Sequence, residues 1–309
     1  MLALLLAAAA AHPGWQLIPG DWQKGRGPDS NSVLIDAPAG LILVDTGRHA
    51  DHQKAILDAA RARKRPVAAI VNTHWHLDHT GGNQEIRAVF PKAEIVASDA
   101  VNGALAGFLK RSRADAEAYL ASGKATPDQV AEMKNDFAAM DDVADLRPTR
   151  PVRATGAMTL AGRPLQVHLE RYAATAGDVW LYDPKLRLAV AGDLVVGLTP
   201  FMDTACPQGW RVALGHLAAV PFETLVPGHG APMDRAGFTR WRTAFDDLLD
   251  CAAGSATKQA CIDGWMRDAA PFIPAADKER VPGMIGYYVD SRLRAAPQEK
   301  TRYCEGGTG

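Results

Sequence analysis

Apolar residues recur along most of this chain in short blocks separated by turn-forming residues, the pattern of strands rather than of long helices. Val33–Asp36 and Leu41–Asp45 are two such blocks, and Pro38, Ala39 and Gly40 between them read as a hairpin turn. Thr46 and Gly47 end the second block, and Asp51–Arg63 then has helical character. Val67–Asn72 and Glu94–Ala97 are further β-type runs, the first leading into a cluster of histidines. From 101 to 145 the texture changes to Ala, Lys, Glu, Asp and Met, which predicts a helical insertion at least two helices long, broken at Pro127. It reads equally as a lid and as plain scaffold.

Strand texture returns at Met158–Leu160, Leu165–Glu170, Val179–Tyr182 and Leu188–Ala191, with a turn at Asp183–Pro184. A helix around Trp210–Ala219, a strand at Thr224–Val226 and an amphipathic stretch at Phe238–Asp250 follow. Short strands in both halves, each block followed by helix, predict an α+β fold. Two sheets packed face to face with helices outside would cover every apolar face. The chain divides into a leader (1–11), a core (12–238) carrying the insertion, and a helical extension (239–309) with three of the four cysteines.

Composition narrows the function classes. Lys plus Arg is 34 against 35 for Asp plus Glu, giving a net charge of −1, so the basic excess of a nucleic-acid binder is missing. The Leu- and Ala-rich run from Met1 to Ala11 resembles the apolar region of a secretory signal and is too short to span a bilayer. Periplasmic or secreted localisation follows as an expectation, with no membrane association after cleavage. In that setting Cys206, Cys251, Cys261 and Cys304 are expected to form disulfides. Cys251 with Cys261 is the easiest closure, leaving Cys206 for Cys304, although four cysteines allow three connectivities.

The densest chemistry lies between Asn72 and Asn83, where His74, His76, Asp78 and His79 fall within six positions directly after a strand. In extended chain His74 and His76 point the same way, and a turn at Leu77 would aim Asp78 and His79 at the same space. Imidazole and carboxylate ligands suit zinc, and also iron or manganese. Gly81 and Gly82 would let the backbone pass close behind. Asp193, after the run Leu188–Gly192, and His229, after Leu225–Gly228, occupy matching places at later strand ends. His49, His52, His168 and His216 read as ordinary loop, strand or helix positions, and Trp75 as a packing residue. Phe201, Met202 and Trp210 could wall a pocket or pack in the core.

This arrangement resembles the metallo-β-lactamase superfamily, whose H-x-H-x-D-H signature matches His74, His76, Asp78 and His79. The segments Val44–Gly47, Ala191–Asp193 and Pro227–Gly230 fit its accompanying elements, and the resemblance extends over roughly Trp15–Phe238. It implies an αββα sandwich with the metal site at one edge. It further implies that His74 and His76 hold one ion, that Asp78, His79 and His229 hold a second, and that Asp193 bridges them. Asp45 would orient a ligand or loop through hydrogen bonds. The chain departs from the family at Ala174, which stands where a histidine is usual; His168 or Glu170 could replace it only through a shift of strand register.

A hydrolase follows as the leading expectation, using one or two zinc ions to act on a small ester, thioester, lactone or lactam. Asp78 and Asp193 would orient the attacking water. The alternatives are a metal-binding accessory protein with little turnover, and an oxygenase using iron held by two histidines and a carboxylate.

Overall fold

The computed structural model describes residues 11–22 and 26–307. The leader expected over 1–11 therefore lies, apart from Ala11, outside the described residues. A seven-stranded sheet is formed in the order β1 (Ala11–His12), β2 (Trp15–Ile18), β3 (Ser32–Ala37), β4 (Gly40–Val44), β5 (Val67–Val71), β6 (Glu94–Ser98) and β7 (Arg150–Val152). Strands β1 to β4 are antiparallel neighbours, whereas β4 to β7 run parallel. The five-stranded second sheet has the order β12, β11, β10, β9, β8, with β8 (Gly156–Leu160), β9 (Arg163–Glu170), β10 (Asp178–Asp183), β11 (Leu188–Val196) and β12 (Thr224–His229).

Alternation of side chains sorts the strand residues between layers. Val33, Ile35, Ile42 and Val44 face the second sheet and pack with Val167, Val179, Leu181 and Val190. Their neighbours Leu34, Leu41 and Leu43 turn outward beneath Ile56 and Leu57 of the helix Ala50–Ala62. On the far side of the second sheet, Trp180 packs in one cluster with Trp210, Phe238, Trp241, Phe245 and Trp265. The central strands are thus covered on both faces, β4, β10 and β11 being buried at every position, while the edge strand β8 is largely exposed. This is the αββα sandwich that the sequence led us to expect.

The helical insertion comprises Val101–Ala106, Phe108–Ala121, Pro127–Asp141 and Val143–Leu146. Pro127 marks its break by standing at the start of a helix, where its missing N–H costs nothing, and Thr126 caps that helix with Gln129. Among the elements the sequence did not announce are β1, β2, β7 and the helix Asn83–Val89. The 238/239 boundary falls inside the helix Arg235–Ala253, whose buried Phe238, Trp241 and Phe245 belong to the core over the second sheet.

Both disulfides form as the easiest closure suggested, Cys251 with Cys261 and Cys206 with Cys304. The second ties the C-terminal segment to the loop ahead of the helix Pro207–Ala219. That tail is far from the histidine cluster in sequence but near it in space, because Tyr303 and Cys304 line a cavity with Trp75 and Thr204. No helix among the described residues is long and apolar enough to cross a membrane.

Candidate metal centre

Strand β5 ends at Val71, and the chain passes through Asn72 and Thr73 into a single helical turn, Leu77–Thr80. That turn is fixed from behind. Asn72 Nδ2 and Thr46 Oγ1 both donate to the carbonyl oxygen of His79, and Thr46 N donates to the same atom. Gly82 lets the backbone approach that closely, since a Cβ there would stand 2.4 Å from the carbonyl oxygen of Thr46. His74 and His76, ahead of the turn, and Asp78 and His79, within it, thereby face one space.

Two sheets contribute to that space. Asp193 belongs to β11, which continues through it to Val196; the sequence had ended the strand before it. A left-handed Gly192, with φ of +53°, adjoins Asp193 where the pairing with β12 shifts register. His229 is the last residue of β12. His74, His76 and Asp193 offer ligand atoms that lie within 4.8 Å of one another, as do Asp78, His79 and His229.

The distances show how the sets are joined. His74 Nε2 is 2.9 Å from His76 Nδ1, and 3.9 Å from Asp193 Oδ2. The other carboxylate oxygen, Asp193 Oδ1, lies 3.2 Å from His79 Nε2 and 3.4 Å from His229 Nε2. Asp78 Oδ2 completes the second set, 3.2 Å from His229 Nε2 and 3.7 Å from His79 Nε2. Asp193 therefore presents one oxygen to each set.

These residues fit a divalent ion. His79 Nε2, His229 Nε2 and Asp193 Oδ1 are buried, yet none makes a hydrogen bond of proper geometry despite the short separations. Polar atoms of this kind are costly unless something satisfies them, and a cation between them would. Ligand atoms around tetrahedral zinc, at bonds of about 2.0–2.2 Å, stand roughly 3.3 Å apart, which matches the spacing here.

Hydrogen bonds from outside orient the imidazoles. Asp45 Oδ2 is 2.8 Å from His79 Nδ1, and the same carboxylate accepts from the backbone N–H and hydroxyl of Thr73. With Nδ1–H held by Asp45, Nε2 is the atom His79 would give to an ion between it and Asp193. His76 Nε2 lies 3.0 Å from Thr204 Oγ1, which leaves Nδ1 facing His74.

Burial and the neighbouring His79 and His76 hold His74 well below the usual histidine range, and burial likewise lowers His76. For His79, burial opposes the charge but Asp193, Asp45 and Asp78 carry its pKa well above that range. Burial works against ionised Asp78 and Asp193 as well; His79 and His229 nevertheless keep both below the ordinary carboxylate range. Ionised carboxylates and neutral His74 and His76 are the forms that ligation requires.

Ala174 is buried, and neither candidate replacement reaches the centre. Glu170 accepts from Trp180 Nε1 at 3.0 Å and pairs with His216, while His168 stacks on Trp180 with ring centroids 3.7 Å apart. Both belong to the core side of the second sheet, so the register-shift rescue is ruled out. Thr204 is what the sequence reading missed: its hydroxyl reaches both the Ala174 carbonyl, at 3.3 Å, and His76. No motif marks it, because it approaches from a distant loop.

His49 and His52 are not ligands. His49 bridges Asp29 and Glu132 at 2.9 Å each, and His52 meets Ser32. Trp75 packs against Phe108 as expected, at 5.4 Å, and also forms part of a cavity of about 270 Å³ over the centre. Trp22 and Phe201 line the same cavity, whereas Met202 and Trp210 are core residues. Arg48 also lines it, brought there by the fold from the turn after β4.

Comparison with known proteins bears on the fold and the family. The profile of the metallo-beta-lactamase superfamily matches residues 25–229. A linear primary-alkylsulfatase from Pseudomonas sp. (strain ATCC 19151) is 28% identical over 227 residues, 65% of this chain but 41% of the relative. An atrochrysone carboxyl ACP thioesterase from Passalora fulva is 35% identical over 66 residues, 21% of this chain and 20% of the relative. The chain thus spans about two fifths of the length of the first of these relatives. Among solved structures, a stereoselective inverting sec-alkylsulfatase from Pseudomonas sp. superposes with a TM-score of 0.60 at 17% identity, over 96% of this chain and 53% of that one. A metallo-beta-lactamase from Pontibacter korlensis gives a TM-score of 0.55 at 19% identity, over 77% and 97%. By its fold and the extent of the profile match, the chain belongs to the metallo-β-lactamase superfamily.

Proposed function

We propose that this protein is a metal-dependent hydrolase that cleaves a small ester, thioester, lactone or lactam. The observation that carries the reading is the orientation of Asp193, with one oxygen toward each ligand set. His74, His76 and Asp193 would hold one ion and Asp78, His79 and His229 another, zinc being the ion that this donor set suits best, with iron or manganese compatible. A divalent ion supplies Lewis acidity there, acidifying water and polarising the bond under attack.

The chain's own groups do the rest. Asp45 holds the His79 ring, and Thr204 the His76 ring, in the tautomers that ligation needs. Asp78 Oδ2 faces the histidines, which leaves Oδ1 to accept a hydrogen bond from the attacking water and to orient it. Trp22, Trp75, Phe108 and Phe201 exclude bulk solvent above the centre, strengthening each polar interaction beneath. An oxidising compartment, periplasmic or extracellular, fits the two disulfides.

The similarity to alkylsulfatases favours a second reading, in which the ester is one of sulfuric acid. Hydrolysis of p-nitrophenyl acetate, a thioester, a lactone, a β-lactam and an alkyl sulfate tests both. Activity should vanish on exhaustive chelation and return with zinc; turnover that survives metal removal would contradict the mechanism.

A further inference from the structure

Arg48 is the one Lys or Arg among the described residues lining the cavity over the metal centre, and so the natural receptor for an anionic substrate. It is already occupied. Its Nη1 donates to Glu132 Oε1 at 2.9 Å, its Nε lies 3.5 Å from Asp136 Oδ1, and its Nη2 lies 3.9 Å from Asp78 Oδ1. Glu132 and Asp136 both come from the inserted helix Pro127–Asp141, and Asn135 of that helix donates to the Arg48 carbonyl at 3.1 Å. Glu132 is itself held by His49 and by the backbone N–H of Gly27, so the cap is built rather than incidental.

With Glu132, Asp136 and Asp78 around it, Arg48 itself offers a ligand no unpaired positive charge, so an anion would have to be drawn in by the metal alone. A fourth carboxylate, Asp203, also lines the cavity and accepts from Tyr288. Most of the remaining wall is apolar: Trp22 stacks on Phe201 at 5.8 Å, Trp75 packs against Phe108, and Leu77 and Leu109 add aliphatic surface.

We infer that Glu132 and Asp136 determine specificity by capping Arg48, so that the centre takes esters with an uncharged apolar body and rejects anions such as alkyl sulfates. This rests on the hydrolase reading, narrows it to uncharged esters, and stands against the sulfate-ester alternative. The inserted helix thereby acts as a selectivity element, built by repulsion toward the wrong substrate as much as by attraction toward the right one.

The test is calorimetric binding of hexyl sulfate and 1-hexanol to the zinc-loaded full chain, in wild type, Asp136→Asn and Glu132→Gln, and in Asp136→Asn combined with Arg48→Met. Asp136→Asn should bind hexyl sulfate about tenfold more tightly than wild type, with a smaller change for 1-hexanol, and Arg48→Met should cancel the gain. Glu132→Gln carries the same test, with a gain of severalfold, should the first variant not fold. Wild type binding hexyl sulfate as tightly as the variants, or a gain that persists without Arg48, would overturn the inference. Binding is read without turnover, so failure of the hydrolase reading would show separately, as zinc-loaded protein inert toward every ester tested.

Discussion

The hydroxyl of Thr204 stands 3.0 Å from Nε2 of His76 and 3.3 Å from the carbonyl oxygen of Ala174. A His76 N–H donating to Thr204, and Thr204 donating onward to Ala174, would fix the ring with Nδ1 toward the centre. The backbone around Ala174 would thus help, through Thr204, to hold the His76 ring in place.

Replacing Thr204 by valine should keep the shape and lose both bonds. Zinc affinity is expected to fall roughly 10- to 100-fold, the usual effect of removing a bond that orients a ligand. Thr204→Ser should retain most of the affinity. Competition against a chromogenic chelator measures both, and equal affinities for valine and threonine would remove Thr204 from the account.

Gly228 faces Asp193 so closely that a Cβ would stand 2.0 Å from Asp193 Oδ1. Gly228→Ala should therefore displace the carboxylate that joins the two ligand sets. We expect metal content to drop in a protein whose circular dichroism is otherwise preserved. Full metal content in this variant would argue against Asp193 as the shared ligand.

Much of this candidate centre was legible in the sequence because candidate ligands at strand ends advertise themselves locally. His74, His76, Asp78 and His79 occupy one short segment, and the runs before Asp193 and His229 are plainly strands. Partners that approach from elsewhere leave no such trace. Thr204 and Ala174 are 30 residues apart, and Arg48 meets Glu132 across 84. Strands β2 and β7 were missed because each is short and lies toward the margin of its sheet, with weak alternation.

The clamp between the insertion and the core should depend on pH. Burial opposes protonation of His49, but Asp29 and Glu132 raise its pKa from 6.5 to about 9. A raised folded-state pKa gives stabilisation that is full below 6.5 and lost as pH climbs through 9. The melting-temperature gap between wild type and His49→Gln should accordingly be widest near pH 6 and shrink by pH 9.5. A gap unchanged over that range would show that His49 acts through packing alone.

The disulfides differ in the loops they close, 98 residues apart for Cys206–Cys304 and 10 for Cys251–Cys261. Chain entropy makes the longer closure worth roughly 2 kcal/mol more. Denaturant unfolding of the two double-serine variants should show the larger loss for Cys206→Ser with Cys304→Ser. The opposite order would mean that the tail contributes little to global stability.

Metal counting tests the central claim most directly. Elemental analysis of the purified protein, refolded or dialysed with zinc, should give two ions per chain in wild type and one in His229→Ala. A wild-type chain that retains no divalent metal, or a His229→Ala chain that retains the full complement, would contradict the account.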